Sequence, residues 1–368
     1  MTPRFCAQCV ISDQRPRIVF NDDGVCHACL FVDYHRNQID WQARRVLFDD
    51  LLSRHRSVDG SYDCVVPSSG GKDSALVAHK LKYEFGMHPL TVTWAPHIYT
   101  DIGRKNWQGL IDAGLDNILV TPNSKVHRKL TRMALERLGD PFMPFKYGQV
   151  IAPVREAVNR GIRLIFSGEN GEAFYTGNPE VWDHPGFKPE DYNRQWFSGV
   201  PAESWLEHGF SKADLAAYLP PSQERIAAAG IERYFWSYFH PWHPQSNFYY
   251  AQQHTGFEPN PEGRSEGTYS KYASLDDKID GFYFWFGYLK YGIGRCTSDA
   301  AHEIRDGEIT REEGVALVRK YDGEFPRKHF AAFLEYTGLT EAEFWAIAHK
   351  WRNPELVDEN FKARHVVQ

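Results

Sequence analysis

The sequence predicts an α/β fold, a doubly wound parallel sheet with a small zinc-binding module before it and a mostly helical region after it. Three observations carry this. Apolar, strand-like runs alternate with helix-like segments between residues 62 and 168. Two C-x2-C pairs precede that alternation. From residue 274 onward, helix-start signals recur without strand-like runs between them.

The cysteine pairs come first. Of six cysteines, Cys6, Cys9, Cys26 and Cys29 form CAQC and CHAC. In a reducing compartment this spacing reads as a tetrahedral thiolate zinc site rather than as two disulfides. All four positions of the ion would be filled by sulfur, which makes the expected role structural. A module of this size buries too little apolar surface to hold itself together, and a bound ion would supply the missing stability. His27 lies inside the second pair and reads as a surface histidine.

The segment 41–56 reads as a polar helix. The runs YDCVVP (62–67), HPLTVTWAP (88–96), DNILVTP (116–122) and IRLIFSG (162–168) then read as four strands. Helix-like segments lie at about 73–85, 101–114, 124–138 and 149–160. In the first of these, Val77, Leu81 and Phe85 recur at i, i+4 and i+8, an apolar stripe that faces a sheet. Right-handed crossovers in such a sheet place ligands beyond the carboxyl ends of the strands, at the point where strand order reverses. Both SSGGKDS, after the first strand, and SGENGE, after the fourth, occupy such positions. Between about 172 and 270 the rhythm stops in favour of Pro, Gly, Trp, Tyr and His. Start signals follow at Ser274, Thr310 and Thr340, and the run GFYFWFGYLKYG (281–292), too short to span a bilayer, reads as a buried helix. The expected organisation is therefore a four-cysteine zinc-binding module at 1–45, a nucleotide-binding domain at 46–180, and an aromatic-rich and helical acceptor-binding region at 181–368.

A glycine turn with a lysine between a strand and a helix suggests a phosphate loop. It is not a Walker A loop, because Val66 stands where that motif needs glycine and Asp73 where it needs Ser or Thr. What remains is Ser69-Gly70-Gly71-Lys72-Asp73-Ser74. The glycines let the backbone approach an anion, and the helix start adds free N–H groups and a positive dipole end. Asp73 beside a polyphosphate makes sense as a ligand of magnesium.

These six residues resemble the PP-loop of the ATP pyrophosphatase superfamily, whose domain is of the adenine nucleotide alpha hydrolase-like type. That resemblance implies cleavage of ATP between the α and β phosphates, with the loop holding pyrophosphate and the substrate oxygen becoming adenylated. It also implies that backbone around Pro67, Ser68, Thr93 and Trp94 borders the adenine, and that Gly168 lines the nucleotide. Lys72 fills the variable position of the loop and is a candidate phosphate contact.

Four blocks of the chain, CAQCVISDQRPRIVFNDDGVCHAC, the loop, IFSGENGEAFYTG and KYASLDDKIDGFYFWFGYLKYGIGRCTSDAAHEIRDGEITREEGVALVRKYDGEFP, together resemble the N-acetyl sugar amidotransferase family. The resemblance implies conversion of an acetamido group on a nucleotide-linked bacterial surface sugar into an acetamidino group, for lipopolysaccharide O-antigen or flagellar glycan. It implies ATP with magnesium, a structural zinc, ammonia from a separate glutaminase subunit, and a possible cyclase-like partner. The chain shows no fused amidotransferase domain, which agrees.

Among the remaining residues, Glu169 either takes the magnesium, orients ammonia or is a solvated loop acid. Lys290 and Arg295, around KYGIGR, and Lys271 are candidates to reach the phosphates, with solvated cations near a helix end as the plain alternative. Asp276 and Asp277 read as charges in the first turn of their helix, with a catalytic role as the alternative. His240 and His243 have ligand-like spacing, but their aromatic segment reads as packing against a helix or stacking on the acceptor's nucleotide rather than as a metal site, and Cys64 reads as a small core residue.

Two other function classes fit the loop: a transfer-RNA thiolation enzyme, or a non-catalytic ATP-binding subunit of a glutaminase complex. The first would need further cysteines, and after the loop only Cys296 remains. A net charge of −6 also offers no basic field for a polynucleotide. The second would not need Asp73 or a complete loop. No apolar run of membrane-spanning length and no apolar signal core appear, so the expected location is cytoplasmic, with no nucleic-acid or membrane partner.

Overall fold

The computed structural model describes residues 2–186 and 197–368. Two helices, α1 (His27–Asn37) and α2 (Trp41–His55), lead into strand β1 (Cys64–Pro67). Then follow α3 (Lys72–Tyr83), β2 (Pro89–Trp94), α4 (Asp101–Asp112), β3 (Asp116–Val120), α5 (Ser124–Leu138), α6 (Met143–Arg160) and β4 (Leu164–Ser167). These strands and helices lie close to the expected ones. The sheet order is β3-β2-β1-β4-β5, with every pairing parallel.

The fifth strand, β5 (Glu232–Phe235), lies beyond residue 180, where the expected sheet domain ended. It is reached after two short helical turns, α7 (Lys212–Leu215) and α8 (Gln223–Ala228). From it the chain passes through α9 (Trp236–Phe239) into α10 (Pro244–Thr255). The carboxyl-terminal helices are α11 (Asp280–Tyr291), α12 (Arg295–Asp306), α13 (Arg311–Tyr321), α14 (Phe330–Thr337) and α15 (Glu341–Trp351). No described helix is long and apolar enough to cross a membrane.

Strand alternation splits the core into two layers. Cys64 and Val66 of β1, with Leu164 and Phe166 of β4, face α2, α3 and α10. Val65, Leu90, Val92, Trp94 and Ile165 face α5, α6, α11, α14 and α15. A third cluster joins the four paired cysteines to α12 and α13. Strand order reverses between β1 and β4, so the loops after these two strands open onto the same crevice.

Helix starts at Thr310 and Thr340 are as expected, each with a reciprocal capping box. Ser274 is a correction. It has φ +55° and caps nothing, and α11 begins only at Asp280. Asp276 and Asp277 therefore precede the helix instead of charging its first turn. Backbone pairing with residues 98–100 holds them there, through Thr100 N to Asp276 O at 3.2 Å and Lys278 N to Ile98 O at 3.0 Å.

Gly70 shows why the loop after β1 needs glycine. Its φ is +83°, and an added Cβ would lie 2.6 Å from Cα of Trp107 on α4. Gly161, at the end of α6, has φ +69° with open space around it. Gly70→Ala is therefore expected to cost about 2–4 kcal/mol, against roughly 1 kcal/mol for Gly161→Ala, with denaturant midpoints as the measurement. Equal losses would mean that the close approach to α4 contributes nothing.

Candidate active site at the strand-order switch

The loop after β1 is tied to the second strand by Ser68 N donating to Val92 O at 2.9 Å. Gly71 is the N-cap of α3 and offers no side chain, so the first N–H groups of the helix remain open to a ligand. The loop hydroxyls fold inward. Ser68 Oγ lies 3.0 Å from Ser74 Oγ, and Gly71 N donates to Ser69 Oγ at 3.3 Å. Asp73 pairs with Lys72, and its other oxygen accepts from Asn247 Nδ2 on α10 at 2.8 Å. Lys72 also lies over the Tyr272 ring, 5.3 Å from its centroid.

The loop after β4 meets this one. Gly168 has no room for a side chain, because a Cβ would sit 2.9 Å from the Trp242 ring. Asn170 is buried and organises the loop, donating to Val181 O at 3.0 Å and accepting from Ala173 N at 3.3 Å. Glu169 accepts from Tyr175 OH at 3.2 Å. Burial pushes the Glu169 carboxyl above the usual carboxylate range, the negative charge of Asp73 pushes it further, and Lys72 opposes. The two loops thus share one electrostatic environment. Tyr175 belongs to a single π-helical turn, Glu172–Thr176, of a kind that recurs at functional sites.

One arginine and a histidine contact Tyr175, and a second arginine acts on it through its charge. Arg15, from the spacer between the cysteine pairs, lies over its ring at 5.5 Å. Arg15 Nε is buried without a hydrogen-bond partner, and burial lowers the affinity of this guanidinium for its proton. His302 meets the same ring edge-on at 4.6 Å, and burial, followed by the charges of Arg305, Arg15, Arg295 and Lys72, holds it neutral. Arg295 opens α12, pairs with Asp299 at 3.0 Å, and feels the charges of Asp280 and Tyr175. Arg15, Tyr175, Asn247 and His302 were not expected from the sequence. A lone arginine between two cysteine pairs and an asparagine on an aromatic helix carry no motif.

Lys290 lies elsewhere. Lys290 Nζ donates to Leu138 O at 3.2 Å at the end of α5, and burial, its largest influence, lowers its proton affinity. It touches none of residues 67–74. Lys271 lies over the Phe248 and Tyr249 rings, at 4.9 and 5.8 Å. The Trp94 side chain is core, wedged so tightly against α6 that a Cβ on Gly148 would fall 2.0 Å from it. Thr93 is buried and accepts from Asn117 Nδ2 at 2.8 Å.

His240 stacks on Trp236 at 4.1 Å, with its pKa lowered to about 4 by burial. His243 caps α10 and pairs with Glu308 at 3.2 Å. Cys64 is a buried core residue of β1.

The four cysteines converge. Their sulfurs all lie within 4.8 Å of one another, with Cys6–Cys29 at 3.9 Å, Cys9–Cys26 at 3.8 Å and Cys26–Cys29 at 3.5 Å. A zinc–sulfur bond of about 2.3 Å places tetrahedral sulfurs about 3.8 Å apart, so the set fits that ion. Among the described residues this is the one cluster of three or more such ligands. Arg305, buried, donates to Cys9 Sγ at 3.5 Å and Cys26 Sγ at 3.7 Å, and to Phe174 O at 3.2 Å. Arg17, from the same spacer as Arg15, makes a two-point bond to Glu172, both contacts at 2.9 Å.

Residues 266–366 match the family described as LPS biosynthesis protein WbpG-like, C-terminal domain. The match takes in α11 to α15, and so Arg295, Arg305, Asp276 and Asp280. An uncharacterized protein of Methanocaldococcus jannaschii is 28% identical over 88 residues, 24% of this chain. The chain spans about a third of that protein's length, 31%. Among solved structures, an NH3-dependent NAD synthetase from Campylobacter jejuni aligns with 52% of this chain and 92% of its own, at 15% identity and a TM-score of 0.31. At that score the superposition is too loose to carry an argument, and the fold rests on the strand order itself.

Two outcomes follow from the site. Metal analysis of the purified chain is expected to find one zinc per molecule, with Cys9→Ser losing it and unfolding at a markedly lower temperature; full stability without metal would refute a structural ion. Asp276 has its pKa raised to about 7, by burial first and then by Asp280 and Asp277, with Arg295 opposing. Folding thus favours its proton, and that contribution is complete in acid and lost as pH rises towards neutrality. Asp276→Asn is expected to raise the melting temperature by a few °C at about pH 8, with a much smaller gain near pH 5. A gain independent of pH would assign the effect to packing instead.

Proposed function

We propose that the chain is an ATP-dependent N-acetyl sugar amidotransferase of bacterial lipopolysaccharide or flagellar glycan synthesis. The observation that carries the reading is the strand order, which sets the SGGKDS loop after β1 beside the Glu169 loop after β4 at the point where the order reverses. The match of residues 266–366 to an LPS biosynthesis domain supports the acceptor class.

In this reading the open start of α3, with Ser69, Gly70, Gly71 and Ser74, holds the β and γ phosphates. Asp73 and Glu169 are the carboxylates that could hold magnesium, since that ion usually takes one or two protein carboxylates and completes its shell with phosphate oxygens and water. The ion would neutralise charge on the departing pyrophosphate. Arg295 and the unpartnered guanidinium of Arg15 supply positive charge to the phosphates from the opposite wall. An acetamide carbonyl resists attack because its nitrogen donates into it. Transfer of the α-phosphoryl group to the carbonyl oxygen, with loss of pyrophosphate, gives an imidate. Ammonia then adds to the imidate carbon and AMP leaves, so that oxygen is replaced by NH. Glu169, with its proton affinity raised, is suited to orient ammonia or to take its proton. A separate glutaminase, with or without a cyclase-like subunit, supplies ammonia through a path closed to water.

The test is pyrophosphate release from ATP with ammonium salt and a panel of UDP- and CMP-linked acetamido sugars. Sugar-dependent release is expected, with an amidine product by mass spectrometry. Asp73→Ala should lower the rate by on the order of 10²–10³. Release with transfer RNA but no sugar would move the chain to the thiolation class. Silence with both, glutaminase present, would leave the non-catalytic subunit.

A further inference from the structure

Beyond the carboxyl end of β2, a cavity of about 390 Å3 opens between the starts of α4 and α5 and the surface of α14. None of residues 67–74, Glu169 or Arg295 lines it. The paired segments 98–100 and 276–278 form one of its walls.

Three cations converge there. Arg104 lies over the Tyr99 ring at 4.6 Å, and Arg128 over the Tyr336 ring at 4.8 Å. Stacking fixes each guanidinium plane while leaving its N–H edge free to bond. Lys278 is the third. No carboxylate pairs with any of the three among the described residues.

A buried group points to a ligand independently. The His97 side chain is fully buried, and its Nδ1 donates to Asp277 Oδ2 at 2.7 Å. The backbone N–H of His97 donates to the same oxygen, also at 2.7 Å. This clamp fixes the ring and leaves Nε2 buried without a partner, in a residue that lines the cavity. Tyr99 OH is likewise buried and unsatisfied. Groups of this kind carry a desolvation cost that a bound polar ligand removes.

We propose that this cavity is a second nucleotide site, distinct from the phosphate loop, which takes the diphosphate of a nucleoside diphosphate. Arg104, Arg128 and Lys278 match its negative charge, and bidentate arginine contacts suit its adjacent oxygens. Glu335 on the rim can accept from ribose hydroxyls. The volume lies within the range of small-ligand pockets. The choice of a nucleoside diphosphate rests on the proposed nucleotide-linked acceptor, whereas the cavity and its cations stand apart from the adenylation step.

Calorimetric titration of UDP into the full chain tests it, with Arg104→Gln/Arg128→Gln and Asp73→Ala as variants. Both arginines are exposed, so the double variant should keep its melting temperature. It is expected to weaken UDP by roughly tenfold or more while leaving ATP affinity unchanged. Asp73→Ala should leave UDP binding intact. The proposal fails if UDP does not bind at millimolar concentration, or binds the double variant as well as wild type. It also fails if ATP affinity falls together with that of UDP, which would mean one shared site. Orthophosphate binding as tightly as UDP would reduce the cavity to an adventitious anion site.

Discussion

The guanidinium of Arg305 is buried between two cysteine sulfurs and a backbone carbonyl, and three parts of the chain meet on it. Four thiolates around a divalent ion carry a net negative charge, and burying that charge requires a cation close by. Arg305 supplies one from α12, the helix that Arg295 opens. Its bond to the Phe174 carbonyl fixes the π-helical turn that holds Tyr175 against Glu169. The cysteine module is therefore part of the frame of the phosphate site. Arg15 and Arg17, both from the spacer between the cysteine pairs, carry that frame to Tyr175 and Glu172.

The electrostatics of the crevice follow from this frame. Two carboxylates, Asp73 and Glu169, are close enough for one to raise the proton affinity of the other. Lys72 pairs with Asp73, Tyr175 bonds Glu169 and also feels the charges of Arg295 and Arg15, and Arg15 has no carboxylate partner among the described residues. A site with positive walls and two acids suits a polyphosphate carrying a divalent ion. It suits a neutral ligand poorly, because the arginine would then stay buried and unpaired.

What could be read in the sequence depends on the range of each interaction. The first four strands were legible because a buried parallel strand is a short apolar run between turn signals. The glycine loop was legible for the same local reason. By contrast β5, read as ERYF, is short and polar within a proline- and aromatic-rich stretch, and its pairing with β4 determines it. Ser274 carries a helix-start pattern, but backbone pairing of Asp276 and Lys278 with residues 98–100 overrides it. Lys290 looks like a neighbour of Arg295. However, Gly292 caps α11 in the left-handed conformation and redirects the chain, so Lys290 points back to the end of α5 while Arg295 opens α12 and pairs with Asp299. Arg15, Asn247 and His302 become site residues only through contacts across the whole chain.

The bond from Arg305 to Cys26 spans 279 positions. During synthesis at about 5–20 residues per second, the two cysteine pairs emerge roughly 15–60 s before the arginine that neutralises them. The knuckles can capture an ion in that interval, but their excess charge stays in water until α12 arrives. A chain interrupted before residue 305 would carry a loaded yet undocked module. One interrupted before residue 295 would also present its phosphate loop without the arginine that opens α12. Assembly of the crevice is thus timed by the arrival of α12 rather than by the emergence of the cysteine pairs.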